Sequence, residues 1–287
     1  MIKKLLLSSA ATLLAAAGAS AADLPRRQAP PVFTQVPVFT WTGGFAGLET
    51  AYTFTDREQI ITSGNTAVTR DNVANLRRPP TTSTEQDGIA KLGGGFGYNY
   101  QFTPGSGIVV GVAANFDWTD IHKNRFVLGN GNLANPALPN PSAFRQSLEW
   151  LGTANGRIGY AFDRFLIYGT GGFAFGDVQY DANFFTPLGV LQFAGRETGL
   201  ETGYDYGGGI EYAIPTDSVL NYFSVGKYLG IKSEAVTIKA EYIHYDLGSR
   251  NVLVGPRPGF EPNSYTSRFR TEGNIVRAGF NYKFGGF

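Results

Sequence analysis

Ionisable residues recur at alternate positions of otherwise apolar or glycine-rich runs, and they are the first chemistry this sequence offers: Glu49, Lys91, Asp117, Glu149, Arg157, Asp205, Glu211, Lys239, Glu241, Arg277 and Lys283. Acids and bases nearly cancel in this set, so it has the composition of an ion-pair network and equally that of a path for ions. Either use requires the charges to share one face of extended chain, turned toward one another. Other chemistry is thin. Two histidines, His122 and His244, and no cysteine exclude a thiol nucleophile, a disulfide framework and most metal sites. Neither HExxH nor GxSxG occurs. One GxGxxA match, Gly129–Ala134, falls in a predicted loop, without the strand-to-helix unit that gives the motif its phosphate-binding geometry. The chain therefore reads as non-enzymatic, with no cofactor, and a formal net charge of +1 gives no reason to expect a nucleic-acid partner.

The elements that must position these charges are strands. Glycine numbers 38 in 287 residues, about twice its ordinary share, and 22 Phe and 15 Tyr accompany a single Met. From Ala90 to Phe102 the even positions are Ala90, Leu92, Gly94, Phe96, Tyr98, Tyr100 and Phe102, while the odd ones are polar or glycine; in Ile108 to Thr119 the even positions are apolar, with Asn115 and Asp117 on the other face. Similar alternation predicts strands over about Gly44–Thr55, Ser147–Phe162, Phe165–Tyr180, Thr202–Ile214, Val236–Gly248 and Gly273–Phe284, eight in all. In Phe165–Tyr180, Leu166/Tyr168 and Phe173/Phe175 favour opposite faces, which leaves its register open.

Connections alternate between long (about 56–87, 120–146, 181–201 and 251–271) and short (Thr103–Gly107, Asp163–Arg164), as expected of an outer-membrane barrel whose short turns face the periplasm and whose long loops face outward. The sixth connection, Pro215 to Ala235, departs from this; its VLNYFSVGKYLGI core suits an enlarged turn or a short amphipathic helix at the interface. Loop one, which includes Arg77-Arg78-Pro79-Pro80, reads as a solvated surface loop. Loop three carries Phe184, Phe185, Leu188, Val190, Leu191 and Phe193, and suits either a binding surface or an extension of the flanking hairpin.

The direction of burial distinguishes a membrane barrel from a soluble one. Packing the charged face into an apolar core would cost several kcal/mol per charge, whereas a narrow lumen lets the charges pair while the apolar face meets lipid. Eight strands enclose little space, so a salt-bridged plug is favoured over an ion path. The central candidates are Arg157, Glu211, Lys239, Glu241, Arg277 and Lys283. The sequence predicts an outer girdle of Tyr52, Phe54, Phe116, Trp118 and Trp150 and an inner one of Tyr98, Tyr100, Phe102, Tyr160, Phe162, Tyr212, Phe280 and Tyr282. The expected fold is an all-β, eight-stranded antiparallel transmembrane barrel over 42–287. Before it, 1–22 reads as a signal peptide, with Lys3 and Lys4, an apolar run and cleavage after Ala21 or Ala22; 23–41 reads as a flexible Pro-rich periplasmic tail. Taking Lys3 and Lys4 from the 24 basic residues leaves 22 against 23 acids.

Six fragments resemble, in order, the small porin-family barrels called outer membrane immunogenic proteins, related to opacity-type proteins and a hemin-binding surface protein: AADLP (Ala21–Pro25), FTWTGGFAGLETAY (Phe39–Tyr52), WLGTANGRIGYAFDRFLIYGTGGFAFG (Trp150–Gly176), GGGIEYAI (Gly207–Ile214), IKAEYIHYDLG (Ile238–Gly248) and VRAGFNYKF (Val276–Phe284). The resemblance implies a structural protein of the Gram-negative outer membrane that displays surface loops as an antigen or adhesin, with a small diffusion pore or hemin-binding protein as the alternative. It implies lipid and lipopolysaccharide as surroundings, a possible host or surface ligand at the loops, and the barrel-assembly machinery as a biogenesis partner reading Phe280, Tyr282 and Phe284 or the terminal Phe287. It also gives His122 a heme-iron reading beside the ordinary one of a solvated histidine. His244 is expected on the lipid-facing side near an interface.

Overall fold

A computed structural model describes residues 38–55, 58–84, 87–131, 137–215 and 235–284, the side chains of 87–91 and 120 excepted. The signal segment with Ala21 and Ala22, the tail as far as residue 37, the core of the sixth connection and Phe287 lie outside the described residues.

Alternating sequence forms strands because period-2 side chains fill the two faces of a pleated sheet. In chain order these are β1 (Gly43–Phe54), β2 (Glu58–Gly64), helix α1 (Ala67–Ala74), β3 (Thr81–Thr84), β4 (Asp87–Gln101), β5 (Ser106–Gly129), β6 (Asn140–Phe162), β7 (Phe165–Phe185), β8 (Leu191–Ile214), β9 (Ala235–Pro256) and β10 (Tyr265–Phe284). The ladder runs β1-β4-β5-β6-β7-β8-β9-β10, every pair antiparallel, and β1 closes on β10. All eight predicted strands are in this ring. Closure pairs the backbone groups that hydrocarbon would leave unsatisfied.

The strands outrun their predicted ends. β5 and β8 each have 24 residues, where a tilted span needs about 9–11. The third long connection is therefore mostly strand: β7 and β8 continue as a hairpin closed by a turn over 186–190, with Phe184 and Phe193 buried and Leu188 84% exposed at its tip. Loop one is a second departure. Here β2 replaces β1 beside β10, through Ile61↔Arg268 to Gly64↔Tyr265, and β3 pairs with β2. Thr66 caps α1, which joins the two. Arg78, expected in solvent, is buried because its guanidinium donates to Pro141 O (2.7 Å) and Phe185 O (2.8 Å), backbone oxygens of two other hairpins, and lies over the Phe184 ring. Loop one is fastened across the loop end.

The register of β7 is continuous from Phe165↔Tyr212 to Phe184↔Phe193. Leu166 and Tyr168 point inward and Phe173 and Phe175 outward, so the two apolar pairs lie at different heights on opposite faces of one unbroken strand. Beyond Phe175 the outward residues become Asp177, Gln179, Asp181 and Asn183, while the inward ones become Val178, Tyr180, Ala182 and Phe184. The sheet has left lipid for water and its amphipathicity has changed sign. Above this level Ile60, Phe144, Leu148, Val178, Tyr180, Phe184, Val252, Tyr265 and Phe269 form a closed apolar core inside the barrel.

At the turn end, two short turns link β4 to β5 and β6 to β7, the second through Asp163 at φ 54, a left-handed conformation that suits a two-residue hairpin. Phe39 and Trp41, expected to belong to a flexible tail, pack into this mouth. Trp41 is 1% exposed, its backbone N–H donating to Gln101 Oε1 (2.7 Å) and its indole N–H to Asp163 O (3.0 Å). Burial of a large aromatic side chain whose N–H finds a partner outweighs the extended freedom that the neighbouring prolines suggested.

Candidate functional site

Between the two apolar plugs lies a belt of charge. Arg277, on β10 and 0% exposed, is its hub: Nη2 lies 2.7 Å from Asp117 Oδ2 on β5, Nη1 3.2 Å from Glu241 Oε2 on β9, and Nε 3.8 Å from Glu49 Oε1 on β1. Glu49 is also paired with Lys239 of β9, which reaches Asn115 Oδ1 at 3.4 Å. Four strands are thus tied across the lumen by charges that the alternation of each strand turned inward.

A second knot lies nearer the turn end. Arg157 of β6 donates from Nε to Asn99 Oδ1 (2.7 Å), lies 3.7 Å from Glu211 Oε2, and is sandwiched between the rings of Phe45 and Tyr168 at 4.4 and 4.9 Å. Both ring faces carry negative quadrupolar charge, so they stabilise the guanidinium where one carboxylate at 3.7 Å is loose. Glu211 accepts from Thr237 and from Asn281 Nδ2 (2.9 Å). Tyr168 donates its hydroxyl to Glu241 Oε1 (3.1 Å), linking the knots. A Cβ at Gly209 would come within 2.7 Å of that hydroxyl, so glycine there keeps the path clear. Asp205 accepts from Asn155 Nδ2 at 2.7 Å, and Lys283 donates to Thr42 O at 2.6 Å in the turn-end mouth.

The expected set is therefore brought together with one exception among its described members. Glu49, Asp117, Arg157, Asp205, Glu211, Lys239, Glu241, Arg277 and Lys283 are all inside. Glu149 is not: β6 carries an extra residue between Leu148 and Leu151, which reverses the parity that placed Glu149 beside Arg157, and its side chain is exposed. The side chain of Lys91 lies outside the described residues. The amides Asn99, Asn115, Asn155 and Asn281 share the inward parity and were legible as a polar face; Tyr168 was hidden because it is aromatic. A further ion pair, Lys123 Nζ to Glu58 Oε2 at 2.5 Å, sits in the loop-end core, with Glu58 also accepting from the backbone N–H of Glu272 (2.7 Å). Burial pushes the Glu58 carboxyl up and the Lys123 ammonium down, each opposed by the charge of the other.

The outward residues define the height of the membrane. Trp150 stacks on Phe116 at 5.3 Å, Phe116 meets Trp118 edge-on at 4.9 Å and Trp150 meets Phe175 at 6.0 Å, an aromatic band across β5, β6 and β7. Tyr100/Phe102 and Tyr160/Phe162 pair at the turn end. His244 is outward and half-buried on β9, its Nδ1 3.0 Å from Asn274 Oδ1, which also accepts from the Tyr242 hydroxyl at 2.7 Å. His122 is exposed on the outward face of β5, beyond Trp118. Phe280, Tyr282 and Phe284 keep one parity on β10, Phe280 being exposed.

A family model described as outer membrane protein beta-barrel domain matches residues 7–284. The 31 kDa outer-membrane immunogenic proteins of Brucella melitensis biotype 1 and Brucella suis biovar 1 are each 26% identical over 296 residues, spanning 99% of this chain and all of the relative. Among solved structures, the outer membrane protein OprG of Pseudomonas aeruginosa superposes with a TM-score of 0.51 at 15% identity, over 85% of this chain and 97% of that one, a likeness of fold. Because the family match runs through every described strand and the charged belt that the ring encloses, the chain belongs to the outer membrane protein β-barrel domain family.

Proposed function

We propose that this protein is a non-enzymatic structural barrel that reinforces the outer membrane and displays its loop-end sheet on the cell surface as an antigen or adhesin-like face, its lumen closed to diffusion. The observation that carries this reading is that buried side chains occupy the lumen at three levels: Trp41 at the turn end, the Arg277 belt in the middle, the aromatic core and Arg78 at the loop end. The orientation follows from the family habit of short periplasmic turns and long outward connections. The lipid-facing parity of Phe280, Tyr282 and Phe284 supports recognition of β10 during assembly, after export on the 1–22 signal.

Two measurements test the reading. Refolded protein inserted in a planar bilayer is expected to be electrically silent; steady, reproducible openings would move the assignment to a small diffusion pore. A cysteine placed at Leu188, in a chain that has none, is expected to react with a membrane-impermeant maleimide on intact cells. The hemin-binding alternative is tested by titrating hemin into wild type and His122→Ala. Saturable binding lost in the variant would replace display as the main role.

A further inference from the structure

On the outer wall, where β2 parts from β10 below the Ile61↔Arg268 rung, a cavity of about 360 Å³ opens between Gln59, Ser249, Arg268 and Arg270. That is about ten times the volume of one water in the liquid, enough for a tetrahedral anion with bridging waters. We propose that this cavity binds a phosphate group of the glycolipid that forms the outer leaflet, an inference that rests on the outward orientation of the loop end argued above.

Charge is the first reason. Glu58 and Glu272 also line the cavity, but each carboxylate already has a cation. Glu58 is held by Lys123, and Glu272 lies 2.7 Å from Arg270 Nη2, which is 2.7 Å from Asp246 Oδ2 as well. Arg268 is exposed and makes no ion pair or side-chain hydrogen bond among the described residues. With Arg270 shared by Glu272 and Asp246, three carboxylates match three cations in number, and Arg268 is the cation that none of them contacts; its guanidinium presents N–H donors in a fork that matches two phosphate oxygens. Ser249, paired with Arg270 in the ladder, adds a hydroxyl.

Height is the second. Asn274, with Tyr242 and His244, marks the lipid–water boundary on this wall. Arg270 lies four residues further along β10, which at about 3.3 Å per residue and a tilt near 40° is roughly 10 Å above that boundary. This is the layer of lipid headgroups, where phosphates lie, and not that of acyl chains.

The test is native mass spectrometry of the full barrel refolded in zwitterionic detergent, with bis-phosphorylated lipid A, dephosphorylated lipid A and inorganic phosphate as probes. Wild type is expected to retain one bis-phosphorylated lipid A. Arg268→Ala should weaken retention about tenfold, Arg268→Lys less, and Arg70→Ala not at all, while dephosphorylated lipid A should bind about tenfold more weakly than the phosphorylated form. Equal retention by Arg268→Ala or of dephosphorylated lipid A would overturn the site. Inorganic phosphate binding through Arg268 without lipid A binding would overturn the lipid assignment. Surface labelling at position 188 is read separately, so loss of lipid binding with labelling intact removes this site alone.

Discussion

The charged belt and the loop-end core occupy the same barrel, on the inward face of shared strands, yet one is ionic and the other aromatic. Outside the belt the wall presents Phe173, 74% exposed, and Ile158; outside the core it presents Asp177, Asp181, Arg145 and Arg196. The difference lies in what surrounds the wall. Where lipid touches the outer face, apolar residues are needed there and the alternation delivers polar ones to the interior. Where water touches it, the assignment inverts and the interior becomes an ordinary hydrophobic core. A barrel that outruns its membrane carries two opposite patterns joined end to end.

That contrast can be broken at either end. The largest effect is expected from Arg277→Met, which strands Asp117, Glu241 and Glu49 without their shared cation; urea unfolding of the refolded barrel should lose about 3–5 kcal/mol. A loss below about 1 kcal/mol would mean the belt is hydrated enough to tolerate a bare charge, and would revive the ion path. Ile60→Ala removes a buried side chain from the loop-end core and should cost roughly 2–5 kcal/mol, with amide exchange rising in β2 and β3 before the lipid-facing strands. Arg78→Gln leaves backbone oxygens of two hairpins without their donor, for about 1–3 kcal/mol, and should render loop one sensitive to protease while the barrel stays folded. Glu149→Gln, outside the belt, is expected to change stability by less than about 0.5 kcal/mol. A cost as large as that of Arg277→Met would place Glu149 back in the lumen.

Much of the belt was legible residue by residue. Glu49, Asp117, Glu211 and Lys239 fall on the polar face of alternating runs, and a period of two leaves only two faces to choose between. Glu149 failed because one inserted residue flips parity and nothing in its own sequence marks the insertion. The strand ends were misplaced for a different reason. The pattern of β7 does not stop at Tyr180; it changes sign at Asp177, and a reading that looks for apolar residues on a single face hears the reversal as a loop.

Local sequence by itself determined the strands, their two faces, the short turns and the girdles, since these depend on alternation and on residues a few positions apart. Tertiary structure decided the pairings. Arg277 meets Asp117 across 160 residues and Trp41 meets Asp163 across 122, contacts set by barrel closure and by the stagger of neighbouring strands, which no local pattern encodes. It also decided that Arg78 fastens loop one across the mouth, because a guanidinium finds buried carbonyls only once two distant hairpins have brought them together.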